Sequence, residues 1–217
     1  MFYSDSFSDS YRLGDVIKGY SEIIPTYPLE KNELTIKIAH HKFFVILTPC
    51  CSIEGCEAII APLKQIDQRF LLSDFIIKHD FLVINNKMKR IDAVGEVLFG
   101  TKTPKEQEEI IAAEENYEFK DIFVYDGNVE FEPYNITRKK SKLFDELTIN
   151  TNKYIVSFKD AMRTHCNSFI RNNNQSEKSS TICEKILELT PQTRSELRNK
   201  LSAFYSDVPK EDKPYIT

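Results

Sequence analysis

Two kinds of apolar patterning run through the first third of the chain. From Leu34 to His41, the apolar residues Leu34, Ile36 and Ile38 alternate with Thr35 and Lys37, the period of two expected of a strand with one wet face. The following run, Phe43-Phe44-Val45-Ile46-Leu47, is continuously apolar and rich in aromatic and β-branched residues. It predicts a central strand buried on both faces and stopped by Pro49. Glu57 to Leu63 predicts a further short strand ending at Pro62, reached through a turn around Gly55. Upstream, Tyr11 to Lys18 predicts a first strand entered through a turn at Gly14, with Pro25 and Pro28 interrupting the stretch beyond it. Residues 1–10 are polar and Ser-rich, and predict a loose arm.

The remainder is patchier. Phe70 to Ile84 mixes apolar and charged residues without a decisive period. Thr103-Pro104-Lys105-Glu106 has the layout of a capping box, with a hydroxyl at the N-cap, Pro at the first helical position and Glu at the third, which predicts a helix over 103–115. Asp121 to Tyr134 predicts a β-hairpin: two alternating runs flank Asp126-Gly127, a strong hairpin dipeptide. Lys153 to Phe158 predicts another strand, and residues 171–181, which lack any apolar side chain, a polar linker. Thr190-Pro191 opens a helix in which Leu197, Leu201, Phe204 and Tyr205 fall at i, i+4, i+7 and i+8 as one apolar stripe. The expected class is α+β: a small, mostly antiparallel, SH3-like β-barrel or bent sheet with added helices. The expected organisation is a β-rich main domain over 1–170, with its helical insertion near 103–115, then the linker, then a C-terminal helical extension over 182–217.

Composition narrows the function classes. The net charge of −4 gives no global attraction to nucleic acid, so phosphate binding would need a local basic surface. No apolar run reaches the ~18–20 residues of a spanning helix, and residues 1–15 lack the cationic and apolar regions of a secretory signal. With five cysteines, an odd number, the expectation is a cytoplasmic protein with free thiols and no membrane partner.

Candidate chemistry falls into three groups. Cys50, Cys51 and Cys56, with His40-His41 and the distant His165-Cys166, are zinc-type ligands. Adjacent cysteines on a strand point to opposite faces, however, so small buried side chains are the preferred reading and no cofactor is expected. A cysteine nucleophile would need a histidine base, and no local signature singles one out. Cations gather at Arg138-Lys139-Lys140 and on the last helix, where Arg194 and Arg198 lie one turn apart and Lys200 comes two residues later; with Phe204 and Tyr205 they are candidates for contact with nucleic acid or a protein partner. The chain has no Gly-rich phosphate loop, no G-x-S-x-G and no H-E-x-x-H.

Residues 11–64 carry Arg12-Leu13-Gly14-Asp15-Val16, then the buried run ending in Thr48-Pro49, then Ala58-Ile59-Ile60-Ala61-Pro62-Leu63. In this order they resemble the PemK/MazF-like toxins, SH3-like barrels that cleave RNA. Where that family has its catalytic Arg-Pro pair this chain has Lys42-Phe43, and Lys64 stands where the family has its catalytic threonine. Lysine lacks the planar fork that holds a phosphate in two places. So altered, the resemblance implies a barrel kept for binding. The R-x-G-D segment, Ile46-Leu47-Thr48-Pro49-Cys50-Cys51 and Glu196-Leu197-Arg198-Asn199-Lys200-Leu201 together resemble uncharacterised bacterial proteins of mobile-element and phage-defence loci. The expected function is a non-catalytic interaction or adaptor subunit of a bacterial defence or toxin–antitoxin-type system, with a protein partner encoded nearby. The alternative is a nuclease acting on RNA or DNA, in which Arg12, Lys42 and Lys64 contact phosphate.

Overall fold

The structure, a computed structural model, describes residues 1–8, 10–20, 22–26, 35–39, 41–48, 57–72, 80–86, 103–115, 119–140, 145–165 and 183–206. It is an α+β fold built on a strongly curled antiparallel sheet, the class expected from the patterning. In chain order the strands are β1 (Val16–Lys18), β2 (Glu22–Thr26), β3 (Thr35–Ala39), β4 (Phe43–Ile46), β5 (Glu57–Gln65), β6 (Ile122–Tyr125), β7 (Tyr134–Arg138), β8 (Leu147–Thr151), β9 (Tyr154–Ser157), β10 (Met162–His165) and β11 (Glu184–Leu187). Two α-helices, α1 (Pro104–Glu115) and α2 (Pro191–Ser206), and short 3-10 turns complete the described elements. None of these helices is long and apolar enough to cross a membrane. The chain divides into two compact units, Met1–Lys64 with Asp160–Thr190, and Gln65–Lys159 with Pro191–Thr217.

In the first unit the ladder runs β11–β1–β4–β5, and β10 pairs with the start of β5. β4 has a partner on each side, Val45 facing Val16 on β1 and Ala61 on β5. Its four residues are buried on both faces, as a continuous apolar run demands. Phe44 and Ile46 pack with Ile17, Ala58, Ile60 and Cys183. Gly14 turns the chain into β1 with φ 87°, a conformation glycine adopts without strain, and donates its N–H to the Ile46 carbonyl at 2.7 Å.

Two prolines sit inside strands rather than ending them. β5 continues through Pro62 to Gln65, and β2 runs through Pro25, which faces Ile36 on β3. The pairing explains the first. Leu47 donates to the Ile59 carbonyl at 2.8 Å, and hydrogen-bonded pairs alternate along an antiparallel ladder. Phe44 and Pro62 therefore meet at a position that makes no backbone bond between β4 and β5, and the missing N–H costs that ladder nothing. A further difference lies at the C-terminal side: the segment expected as a helical extension opens with strand β11.

The second unit pairs β6 with β9, and β7 with β8. The hairpin expected at Asp126-Gly127 is absent: β6 leaves for β9, and β7 belongs to a separate two-stranded sheet. Gly127 has a different task. A Cβ there would lie 2.0 Å from Asn152 Oδ1, so the backbone passes the Asn152 side chain only because residue 127 has none. Asn85, buried on the 3-10 turn Phe81–Asn86, completes the hydrogen bonding of β6. Its side chain accepts from the Val124 N–H at 2.7 Å and donates to the Val124 carbonyl at 2.8 Å. Phe70, Leu71, Phe81, Ile84, Phe119, Ile122 and Val124 form an apolar cluster around it. The Tyr134 hydroxyl bridges this unit internally, accepting from the Ile66 N–H at 2.7 Å and donating to the Lys153 carbonyl. At α1 the capping box forms as read: Thr103 N–H donates to Glu106 Oε2 at 2.9 Å and Glu106 N–H to Thr103 Oγ1 at 3.4 Å.

Gly127→Ala should destabilise the protein by about 1–2 kcal/mol, because Asn152 must move and its bond to the Asn128 carbonyl must break. In an Asn152→Ala background the same change should cost about half as much or less. Urea denaturation of the four members of the cycle measures this coupling.

Candidate functional site

The three residues expected to contact phosphate do not converge. Arg12 lies beside the C-terminal end of β4, where Gly14 and Asp15 exchange backbone bonds with Ile46. Lys42 precedes Phe43 at the other end, about 13 Å away along the strand. Lys64 comes close to Lys42, since Phe43 pairs with Leu63 and the next step places residue 42 opposite residue 64. Each charge has a neighbour. Arg12 Nη1 is 3.6 Å from Glu188 Oε1, Lys64 Nζ is 2.9 Å from Asp160 Oδ2, and Lys42 Nζ lies 5.3 Å from the centre of the Phe43 ring.

On α2 the expected contact face divides in two. Arg198 and Tyr205 are exposed and Phe204 half-buried, but Arg194 and Lys200 are buried, 9% and 4% accessible. Neither buried cation is offered to a partner as a surface charge. The reason is helical geometry: Leu197 is fully buried, and Lys200, three residues on, shares its face. Lys200 Nζ donates to the Ile84 carbonyl. Burial pulls its pKa down to about 7, against the opposing field of Asp121. Phe204 packs on Phe158 at 5.7 Å and on Tyr205 at 5.3 Å. Arg138, read as part of a basic cluster, is also buried, and its guanidinium donates to the carbonyls of Leu71 and Asp145.

Cys50, Cys51, Cys56, His40 and Cys166 lie outside the described residues. The His41 ring packs edge-on against Phe44 at 5.6 Å. Among the described residues, no group of three or more His, Cys, Asp or Glu is placed to hold a metal. Cys183 is a buried thiol outside any disulfide, whose pKa burial pushes up to about 11, the opposite of what a nucleophile needs.

A charged cluster that the sequence did not announce joins the two ends of the first unit. Lys185, on β11, sits 2.9 Å from Glu188 Oε2 and 3.3 Å from Asp15 Oδ2, with the Asp15 and Glu188 side chains almost wholly buried. Asp15 also accepts the Arg12 N–H at 2.8 Å. Burial raises the Asp15 carboxyl to about 6, opposed by Lys185 and the Arg12 N–H. At Glu188 burial also works upward, but hydrogen bonds from Lys185 and Ser8 prevail and hold it at about 2. Residues 15 and 185 are too far apart in the chain for any local motif to pair them; Lys185 and Glu188, three apart, are the visible half.

Compared with protein-family models, curated proteins and solved structures, the chain matches none.

Lys200 has a lowered pKa in the native state, so between pH 7 and 10.5 the unfolded chain binds the proton and the folded chain does not. Its contribution to stability should therefore rise with pH across that window. Lys200→Met should remove the rise and, at pH 7, stabilise the protein by on the order of 2 kcal/mol. Urea denaturation at pH 7 and pH 9 reads both effects.

Proposed function

We propose that the protein is a non-catalytic interaction subunit, working in the cytoplasm by binding a protein partner within a bacterial defence or toxin–antitoxin-type assembly. The observation that carries the reading is the fate of its cations. Arg12 is ion-paired to Glu188 and stands a strand's length from Lys42, while Arg194 and Lys200 are buried. Phosphoryl chemistry needs charge gathered at one point and preorganised there, which this distribution does not supply. The exposed Tyr205 beside Phe204 is the kind of aromatic anchor that protein interfaces use. The class of assembly rests on the resemblance of residues 11–64 and of the wider chain.

One observation favours the nuclease reading: the β4–β5 register brings Lys42 and Lys64 to neighbouring positions. Two measurements separate these readings. Purified protein incubated with RNA and with DNA, in Mg2+, Mn2+ or Zn2+, should leave both intact. The protein co-expressed with the product of each adjacent gene should form a stoichiometric complex with one of them by light scattering, weakened at least tenfold by Tyr205→Ala. Cleavage that Lys42→Ala abolishes would overturn the proposal in favour of the nuclease.

A further inference from the structure

β11 closes one side of the ladder in the first unit: β1 occupies one of its edges, and the N-terminal arm runs along the other. The manner of docking changes along the way. Beyond the strand the arm pairs through its backbone. Tyr3 faces Leu189, Ser4 N–H donates to the Glu188 carbonyl at 2.8 Å, and Thr190 N–H donates to the Phe2 carbonyl at 3.1 Å. From Ser8 onward side chains take over. Lys185 Nζ donates to the carbonyls of Ser8 at 2.7 Å and Ser10 at 2.9 Å. Glu188 Oε2 accepts both the N–H and the hydroxyl of Ser8, each at 2.8 Å. Tyr11 OH donates to the Cys183 carbonyl at 3.2 Å.

The change has a cause in the sheet. The register between β1 and β11 slips at Val16/Ile17, so that Val16 faces Leu187 and Ile17 faces Lys185, leaving Ile186 as the extra residue of a bulge. A bulge bends and twists the strand that carries it, and bulged edges accept a continuous ladder poorly. Lys185 and Glu188 bridge the resulting gap from largely water-excluded positions, where charge-assisted hydrogen bonds are strongest.

What this edge recognises can be read from the same bonds. It takes backbone N–H and carbonyl groups, which any extended segment offers, and one hydroxyl at a fixed place. Side chains are read unevenly: Phe2 and Tyr3 are half-buried and Lys185 lies 5.9 Å from the Phe7 ring, whereas Met1 is 90% and Phe7 50% exposed, and Asp5 and Ser6 are exposed as well. The bonds at Ser4, Ser8 and Ser10 are all ones that an equivalent extended segment can make in kind. The arm's advantage is the tether, which keeps it at an effective concentration of about millimolar order.

We propose that the outer edge of β11 is a docking site for an extended, Ser-bearing segment of a partner protein, and that the N-terminal arm is its resident occupant, displaced when that segment binds. The site rests on the interaction reading above and supplies its chemistry: strand addition, with Lys185 and Glu188 selecting a hydroxyl side chain. The arm sets the affinity threshold a partner must exceed.

The test uses the full chain and a fluorescent peptide of its own residues 1–10. Ser8→Pro removes the N–H and hydroxyl that bind Glu188 while leaving the edge unchanged. The peptide should bind Ser8→Pro at least tenfold more tightly than it binds the unaltered chain. Adding Glu188→Gln to Ser8→Pro should weaken that binding at least tenfold, as should Ser8→Ala in the peptide. Hydrogen exchange should show the Ser4 amide losing protection in Ser8→Pro, with β4 and β5 unaffected. Ser8→Ala in the full chain serves as a second weakened arm should the proline variant fail to fold. Equal affinity for unaltered and arm-weakened chains, no binding to either variant, or indifference to Glu188→Gln overturns the proposal. A stoichiometric partner complex that excess arm peptide does not disturb would refute the edge site alone and leave the interaction reading standing. Tight peptide binding without any partner complex would do the reverse.

Discussion

The first unit rests on withdrawing β4 from water on both faces at once. Phe43, Phe44, Val45 and Ile46 are each at most 1% exposed, and burying side chains of this size stabilises by about 1.5–3 kcal/mol apiece. Their sum is comparable to the stability of an ordinary domain. A strand buried in this way needs hydrogen-bonding neighbours on each side, since a backbone N–H or carbonyl left bare in the interior costs about as much as a side chain gains. β1 and β5 supply them, and their order in the ladder, with the turn at Gly14 that delivers β1, reflects that need.

Three cations among the described residues are put to internal use. Arg138 ties a strand end to the carbonyl of Leu71, Lys200 ties α2 to the carbonyl of Ile84, and Lys185 gathers the N-terminal arm. In each case a cation meets a backbone carbonyl from a largely buried position, where solvent competes little. The exposed ion pairs, such as Lys18 with Glu184 at 3.1 Å, add little to stability.

Where one physical cause dominated a segment, the sequence was legible. The unbroken apolar run at 43–47 could sit nowhere but inside, and the Thr103–Glu106 box could satisfy the first turn of a helix in one way. The missed features all depend on partners distant in the chain. Asp126-Gly127 carries hairpin chemistry, yet β6 found a better partner in β9, and the glycine serves Asn152 instead. Pro62 ends strands in general, but here the register sets it at a position between hydrogen bonds. Arg194 and Lys200 are polar in any sequence scale, and the face they share with Leu197 buries them all the same. The Asp15–Lys185–Glu188 cluster combines residues from opposite ends of the sequence, so no window along the chain contains it. As for the candidate site, the sequence nominated Tyr205, Lys42 and Lys64, and the fold exposes Tyr205 and sets residues 42 and 64 side by side; of the β11 edge only the Lys185–Glu188 spacing was visible.

The pairing of β1 with β11 has a bearing on how the molecule is made. Val16 is made first of the pair, and its partner Leu187 is added 171 residues later. At translation rates of about 5–20 residues per second, that interval is on the order of ten to thirty seconds. For most of it the nascent chain carries Phe43–Ile46 without the finished ladder around it, and every residue of the second unit up to Lys159 is synthesised before Leu187. The second unit can begin to fold during synthesis; the first is obliged to wait. The slower the chain is translated, the longer β1 waits for its second neighbour.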